Sequence, residues 1–369
     1  MTRESAATSS THCPLDGSTT PPGALILRIG CWSLRTTRRR TLTGVVLALA
    51  IATLAVWAMM LGSFDLSPGD VLAAVLGTAD RPTTTVVLQW RAPRVVAAVL
   101  FGASLAIGGA VFQSLTRNPL GSPDVIGFSV GSYTGVVATL LLGLSGTLVI
   151  ATGALVGGLL TAAAVYLLAY RRGVQSFRLI VMGIAVAAFL TAVNTWFSTK
   201  VDVDVALRAA VWGAGTLSVV DWASVGVSAA VLAAIVLLSP AAGRRLRALE
   251  LGDDSAAALG VRVELAKVWL IVLGVTATAL VTAAAGPIAF IALAAPQIAR
   301  RITGSGASVD LLGSALVGAL LLLGADVVAQ HAIPGVVLPT GAVTVCLGGA
   351  YLVWLLASEG RRGLLSQRS

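Results

Sequence analysis

The stretch Leu42–Leu61 reads LTGVVLALAIATLAVWAMML, twenty residues without a charged side chain. A helix needs about 20 apolar residues to cross the hydrocarbon core of a bilayer. The run is longer than the apolar core of a secretory signal, and no small-residue cleavage site follows it. The sequence therefore predicts a retained transmembrane helix that begins about 40 residues into the chain.

Nine further apolar runs follow this one along the chain. The run at 288–302 is short, and only Gly286-Pro287 separates it from its predecessor, which predicts a tight helical hairpin. The predicted fold class is an all-α polytopic membrane protein with about ten transmembrane helices. The nine runs lie at about 95–115, 124–143, 147–169, 179–198, 223–240, 268–285, 288–302, 311–329 and 339–357.

The composition agrees with a membrane protein and leaves no room for a large soluble domain. Of the 369 residues, 57% are apolar and 11% are charged, and the mean hydropathy is +0.92. Soluble domains carry about 25% charged residues. The three cysteines are odd in number and far apart, and there are only two histidines, so the sequence predicts neither a disulfide framework nor a metal site.

The distribution of positive charge predicts the orientation. With the N-terminus inside and ten spans, 20 of the 25 basic residues fall on inner segments, and positive charge resists translocation. Both termini are therefore predicted to be cytoplasmic. The predicted divisions are a disordered tail at 1–40, a ten-helix membrane domain at 41–358 and a short tail at 359–369. On the outer side, Ser67-Pro68-Gly69-Asp70 predicts the start of a short helix.

Several function classes lack the residues that they need. The chain has no phosphate-binding loop motif and only two lysines, so energy for uphill transport must come from another subunit. The spans hold few ionisable groups, which argues against a carrier driven by protons or sodium, and no convergent polar site indicates an enzyme. The arginines stand in small groups between apolar runs, which excludes a nucleic-acid-binding surface.

Three segments are more specific than the apolar pattern. The first is Arg91-Ala92-Pro93-Arg94, and the second is QSLTRNPLGSPDVIGFSVG at 113–131. The third is LGDDSAAALGV at 251–261, followed by GPIAFIALAAPQIARR at 286–301. In order and spacing they resemble the iron–siderophore and vitamin B12 permease family of ABC importers. The resemblance covers about residues 42–357.

The resemblance implies partners, cargo and location. It implies two cytoplasmic ATPase subunits, which bind ATP and magnesium, an extracytoplasmic substrate-binding protein and a second permease, in a bacterial cell membrane. No cofactor is expected on this chain itself. Pro296-Gln297, where the family commonly has Pro-His, and the ending PTGAVTVCLGGAYLVWLL are similar to the second permease of ferric-enterobactin systems. This favours a ferric siderophore as cargo and a heterodimer over a homodimer; vitamin B12 or haem import is the alternative, and a stand-alone secondary transporter is the rival class.

On the outer side, the resemblance implies that Arg91 and Arg94 dock the binding protein through charge-assisted pairs. The competing interpretation is simple anchoring in the lipid headgroups. Relatives can carry a third arginine at a position that is Gln330 here, so this chain lacks that third contact.

On the inner side, the resemblance implies two further sites. The ATPase-coupling residues are Leu251, Gly252, Asp253, Asp254 and Gly260. The cytoplasmic gate residues are Asn118 and Leu120 in one loop and Gln175 and Ser176 in another. A solvated acidic turn and ordinary polar turns are the competing interpretations.

Overall fold

The structure is a computed structural model that describes residues 24–29, 32–62, 64–144, 146–170, 176–304 and 310–366. Two antiparallel strands, β1 (Ala24–Ile29) and β2 (Trp32–Thr37), pair with Ala24 opposite Thr37 and Ile29 opposite Trp32. They lie inside the segment 1–40, for which the sequence predicts a tail without regular structure. Residues 1–23 of that tail lie outside the described residues.

From Arg38 onward the described chain is helical, with short turns between the helices. Three of these helices, α2, α8 and α10, lie in the connections between longer ones. The helices are α1 (Arg38–Met60), α2 (Pro68–Val75), α3 (Arg81–Thr84), α4 (Ala92–Thr116), α5 (Phe128–Leu141), α6 (Thr147–Ala169), α7 (Ser176–Ser198), α8 (Val203–Gly213), α9 (Trp222–Glu250), α10 (Asp253–Ala258), α11 (Val263–Ala285), α12 (Ile291–Thr303), α13 (Leu311–His331) and α14 (Thr340–Ser366).

The described helices are those of a multi-pass membrane protein. Seven segments are long and apolar enough to span a bilayer, and α5 and the first part of α14 are shorter apolar helices. Each apolar run of the sequence coincides with one helix, and the short run at 288–302 is α12. The predicted all-α membrane region is therefore confirmed. The short helix predicted at residue 68 is α2, and Ser67 and Asp70 form its capping box.

The helix before α4 is locally widened. Residues Thr85–Arg91 are π-helical, and the amide of Ala92 donates to the carbonyl of Val87, five residues back. Pro93 explains this widening, because a proline ring clashes with the carbonyl four residues earlier and supplies no N–H. The π segment and α4 still form one continuous apolar helix from Arg81 to Thr116.

Helix α4 lies at the centre of the bundle. Most of its residues are buried, and it packs against α9, α11, α12 and α13. A Cβ at Gly109 would overlap the carbonyl of Ala292, and a Cβ at Gly102 would overlap that of Gly318. Small residues of this kind let helix backbones approach closely where lipid removes the hydrophobic driving force. The glycines therefore fix α4 against α12 and α13.

The helix bundle has two ends, the α2 end and the α10 end, each called after the short helix that lies there. At the α10 end, Arg40 at the start of α1 pairs with Asp310, the N-cap of α13, at 2.6 Å. Arg39 donates to the carbonyls of Ile302 and Arg301 at the end of α12. The basic run before the first span thus binds the end of α12 and the N-cap of α13.

Candidate functional site

The predicted coupling segment forms a separate helix. Gly252 (φ +112°) and Gly260 (φ +80°) bracket the six residues of α10, and both backbone angles favour glycine. Leu251 and Leu259 are about two-thirds exposed at the two ends of this helix. Both leucines are therefore accessible to a partner chain. The sequence did not single out Leu259, although an apolar residue beside a helix-ending glycine is the signal that could have found it.

The two aspartates of α10 have different surroundings. Asp253 Oδ2 accepts from Lys267 Nζ at 2.6 Å, and its Oδ1 accepts from Arg117 at 3.0 Å. Asp254 is exposed and has no hydrogen-bond partner within the described part of the chain. Asp253 therefore ties α10 to α11 and to the end of α4, while Asp254 is free to meet a partner from outside.

The first predicted gate loop follows α4 directly. Asn118 Oδ1 accepts from the amide of Leu120 at 2.9 Å, and the side chain of Leu120 is half exposed. The loop and one face of α7 line a groove of about 530 Å³. Its lining residues are Asn118, Leu120, Asp124, Ile180, Ile184, Ala187, Ala188 and Thr191.

The second predicted gate segment can be placed only in part. Gln175 lies outside the described residues, and Ser176 is described only as the first residue of α7. The groove brings the loop after α4 next to residues 180–191 of α7, and Ser176 is not among the residues that line it. Asp124, a partly buried carboxylate in its lining, accepts a hydrogen bond from Ser129. The gate assignment itself stays a prediction.

At the α2 end, Arg91 is bound to the end of α1. Its guanidinium donates to the carbonyls of Met59 at 2.7 Å, Met60 at 3.2 Å and Phe64 at 2.8 Å. The last carbonyls of a helix have no partner within the helix, so a cation placed there satisfies them and complements the helix dipole. The surface cation that the sequence predicts is thus also a cap for α1.

Arg94 forms an internal ion pair, which the sequence does not predict. Its guanidinium forms a two-pronged pair with Asp326 of α13, with 2.9 Å from Nε to Oδ2 and 2.9 Å from Nη2 to Oδ1. The side chains are only 14% and 1% exposed. Gln330 and Thr340 also donate to Asp326, at 2.7 and 2.8 Å. Gln330, at the position where relatives can have a third arginine, completes an internal network here.

The internal bonds of Arg91 and Arg94 limit how freely these side chains can contact a docked protein. Each of the two arginines has partners inside the chain, which compete with any contact to a docked protein. The arginines hold α1, α4 and α13 together at the α2 end. Docking through Arg91 and Arg94 stays a prediction, and it requires these internal bonds to be shared or broken.

A polar cluster at the other end of α4 was not assigned from the sequence. Gln113 is buried; its Nε2 donates to the carbonyl of Leu293 at 2.9 Å, and its Oε1 accepts from Gln297 at 2.7 Å. Gln297 also donates to the carbonyl of Pro119 in the first gate loop at 3.1 Å. The side chain of Gln297 therefore connects α12 with both α4 and the first gate loop.

No cluster of three or more potential metal-ligating side chains occurs among the residues that the structure describes. The site consists instead of helix ends, ion pairs and a groove.

Comparisons with known proteins find related transport permeases. The chain is 46% identical over 325 residues to the ferric enterobactin transport system permease protein FepG of Escherichia coli (strain K12), which covers 88% of this chain and 98% of that protein. It is 33% identical over 304 residues to the iron(3+)-hydroxamate import system permease protein FhuG of Bacillus subtilis (strain 168), covering 80% of this chain and 90% of that protein.

A solved structure shares the fold. A metal-chelate type ABC transporter in an inward-facing conformation matches with a TM-score of 0.75 at 24% identity, over 86% of this chain and 99% of that one. The FecCD transport family matches residues 46–358. The family resemblance that the sequence motifs indicated is therefore confirmed, and the chain belongs to the FecCD transport family.

Proposed function

We propose that the chain is the membrane permease subunit of an ATP-driven importer for ferric siderophores in the bacterial inner membrane. The observation that carries the proposal is the 46% identity to a ferric enterobactin permease over nearly its whole length. The short helix α10, with exposed leucines at both ends, supports attachment of a separate ATPase subunit. On this proposal ATP and magnesium bind to the ATPase, and the chain itself is not an enzyme.

We further propose ten spans with both termini in the cytoplasm. Seven long apolar helices together with α5, α12 and α14 make ten, and an even count keeps the termini on one side. The charge distribution puts the α10 end inside, because 20 of the 25 basic residues then remain untranslocated. An ATPase at α10 and a binding protein at the α2 end complete the assembly. The second permease is expected to be a different chain.

The proposal is tested by measuring iron uptake in iron-starved cells. The iron is radiolabelled and is supplied as ferric enterobactin. Deletion of the gene should abolish this uptake, and a plasmid with the intact gene should restore it. Labelled vitamin B12 is measured in parallel. Loss of vitamin uptake with normal iron uptake would contradict the siderophore assignment and favour the alternative cargo.

A second measurement separates the importer from a stand-alone carrier. A tagged chain should co-purify with an ATPase subunit, and uptake should stop when cellular ATP is depleted while the membrane potential is kept. Uptake that continues on an ion gradient alone would contradict the ATP-driven mechanism. The Asp254→Ala variant should weaken attachment of the ATPase, because Asp254 is exposed beside the apolar ends of α10.

A further inference from the structure

The residue that ends α4 has an unusual backbone. Arg117 has φ +49° and ψ +33°, which is the left-handed region. Most helices that end this way place glycine there, because the Cβ of any other residue is strained in this conformation. An arginine stands at this position despite that strain, so its side chain is the feature to explain.

The side chain of Arg117 reaches the coupling segment. Its Nη2 donates to the carbonyl of Leu249 at 2.8 Å and to Asp253 Oδ1 at 3.0 Å. One turn earlier in α4, Ser114 donates to Glu250 at 2.9 Å. The last turn of α4 is thus bound to the end of α9 and the first residue of α10.

The backbone of Arg117 leads directly into the predicted gate loop. Asn118 is the next residue; its amide donates to the carbonyl of Gln113, and its carbonyl accepts from the amide of Gly121. Pro119 accepts from Gln297 of α12. Because a single residue separates α4 from this loop, the Arg117 side chain is anchored one peptide bond away from Asn118.

The strength of this connection depends on what covers it. The side chains of Arg117 and Asp253 are 50% and 48% exposed, and ion pairs in contact with water contribute little. A protein seated on α10 would remove that water and lower the local dielectric constant, which strengthens the pair. The connection is therefore weak in the free chain and strengthens when α10 is covered.

We propose that Arg117 is the positioning residue that couples α10 to the loop at 118–120, so that movement of an ATPase seated on α10 shifts the gate. This inference rests on the proposed function, in which α10 receives the ATPase. Lys267 holds the other oxygen of Asp253 and keeps α10 fixed to α11, so that Arg117 provides the connection toward the gate.

The test uses the full importer in lipid vesicles, with the substrate-binding protein and ferric enterobactin inside and ATP outside. Release of iron and hydrolysis of ATP are measured together. The variant is Arg117→Gly, because glycine adopts the left-handed backbone without strain and removes only the side chain. The matched control is Arg244→Ala, which removes an exposed arginine of α9 with no hydrogen bond or ion pair among the described residues.

We expect Arg117→Gly to assemble with the ATPase and hydrolyse ATP while the iron moved per ATP falls about 5- to 10-fold, the size of a typical coupling change. Arg244→Ala should keep the wild-type ratio. Arg117→Gln, which keeps a donor for Leu249 but loses the charge, is the second variant and should also lower the ratio. A wild-type ratio in both Arg117 variants would overturn the inference. Failure of the wild-type assembly to move iron would instead contradict the proposed function.

Discussion

Replacing Arg94 by methionine should destabilise the protein strongly. Methionine fills a similar volume but leaves the carboxylate of Asp326, which is 1% exposed, with only the donors of Gln330 and Thr340. Removing one partner of a buried ion pair costs about 3–5 kcal/mol. Because two neutral donors remain, we expect about 3 kcal/mol, the lower end of that range.

The double variant Arg94→Met with Asp326→Leu separates burial of a lone charge from loss of packing. With both charges gone, apolar replacement of a buried pair is often close to neutral. Thr340 then loses its acceptor and, being fully buried, leaves a residual cost of about 1–2 kcal/mol. The single variant should therefore be less stable than the double variant.

The assay is thermal unfolding in lipid nanodiscs, followed by tryptophan fluorescence. Arg94→Met should lower the melting temperature by roughly 5 °C or more, and the double variant by clearly less. Arg208→Met, at an exposed cation of α8, is the control and should melt like the wild type. An unchanged melting temperature for Arg94→Met would refute the reasoning. The double variant also tests docking, because retained affinity for the binding protein would exclude Arg94 as a docking cation.

Two further predictions concern packing and capping. Gly109→Ala should destabilise the protein by about 1–3 kcal/mol, because the new methyl overlaps the carbonyl of Ala292; Gly226→Ala, with open space around it, should be neutral or slightly stabilising in the same melting assay. Hydrogen bonds from Ser67 lower the pKa of Asp70 below its usual 3.8, so the cap of α2 is complete above that pH and is lost as the pH falls through the lowered value. Amide hydrogen exchange of α2 should show this pH dependence, and Asp70→Asn should remove it.

The helices could be predicted from the sequence because each apolar run is a local signal. Their ends could not, for reasons that the structure makes plain. Helix α9 continues past the apolar run at 223–240 to Glu250, although it contains Pro240 and a set of arginines. Helix α5 begins at Phe128 rather than at residue 124, because Pro123 starts a short 3-10 turn and Gly127 breaks it with φ +73°.

The partners of the site residues were harder to predict than the residues themselves. Asp253 was identified from its motif, but Arg117 lies 136 residues away, and a single sequence contains no signal that joins the two. Arg94 and Asp326 are 232 residues apart, yet a usable signal existed. Both are charges near the predicted outer ends of their spans, and a charge inside a span requires a partner at its own depth, although only the structure shows that the two spans are neighbours.

The position of the polar groups along α4 limits how the bundle can move. Between its ends, α4 contacts its neighbours through glycines whose backbones leave no room for a methyl group, so sliding of one helix past another would create overlaps. Ion pairs and amide hydrogen bonds, by contrast, lie at the two ends, around Arg94 and around Gln113 and Arg117. The ion pair at Arg117 is half exposed, so it can be exchanged for other partners at little net cost, whereas breaking the buried pair at Arg94 is costly. Movement during transport should therefore carry α4 and its packed neighbours as one body, with the rearrangement at the Arg117 end.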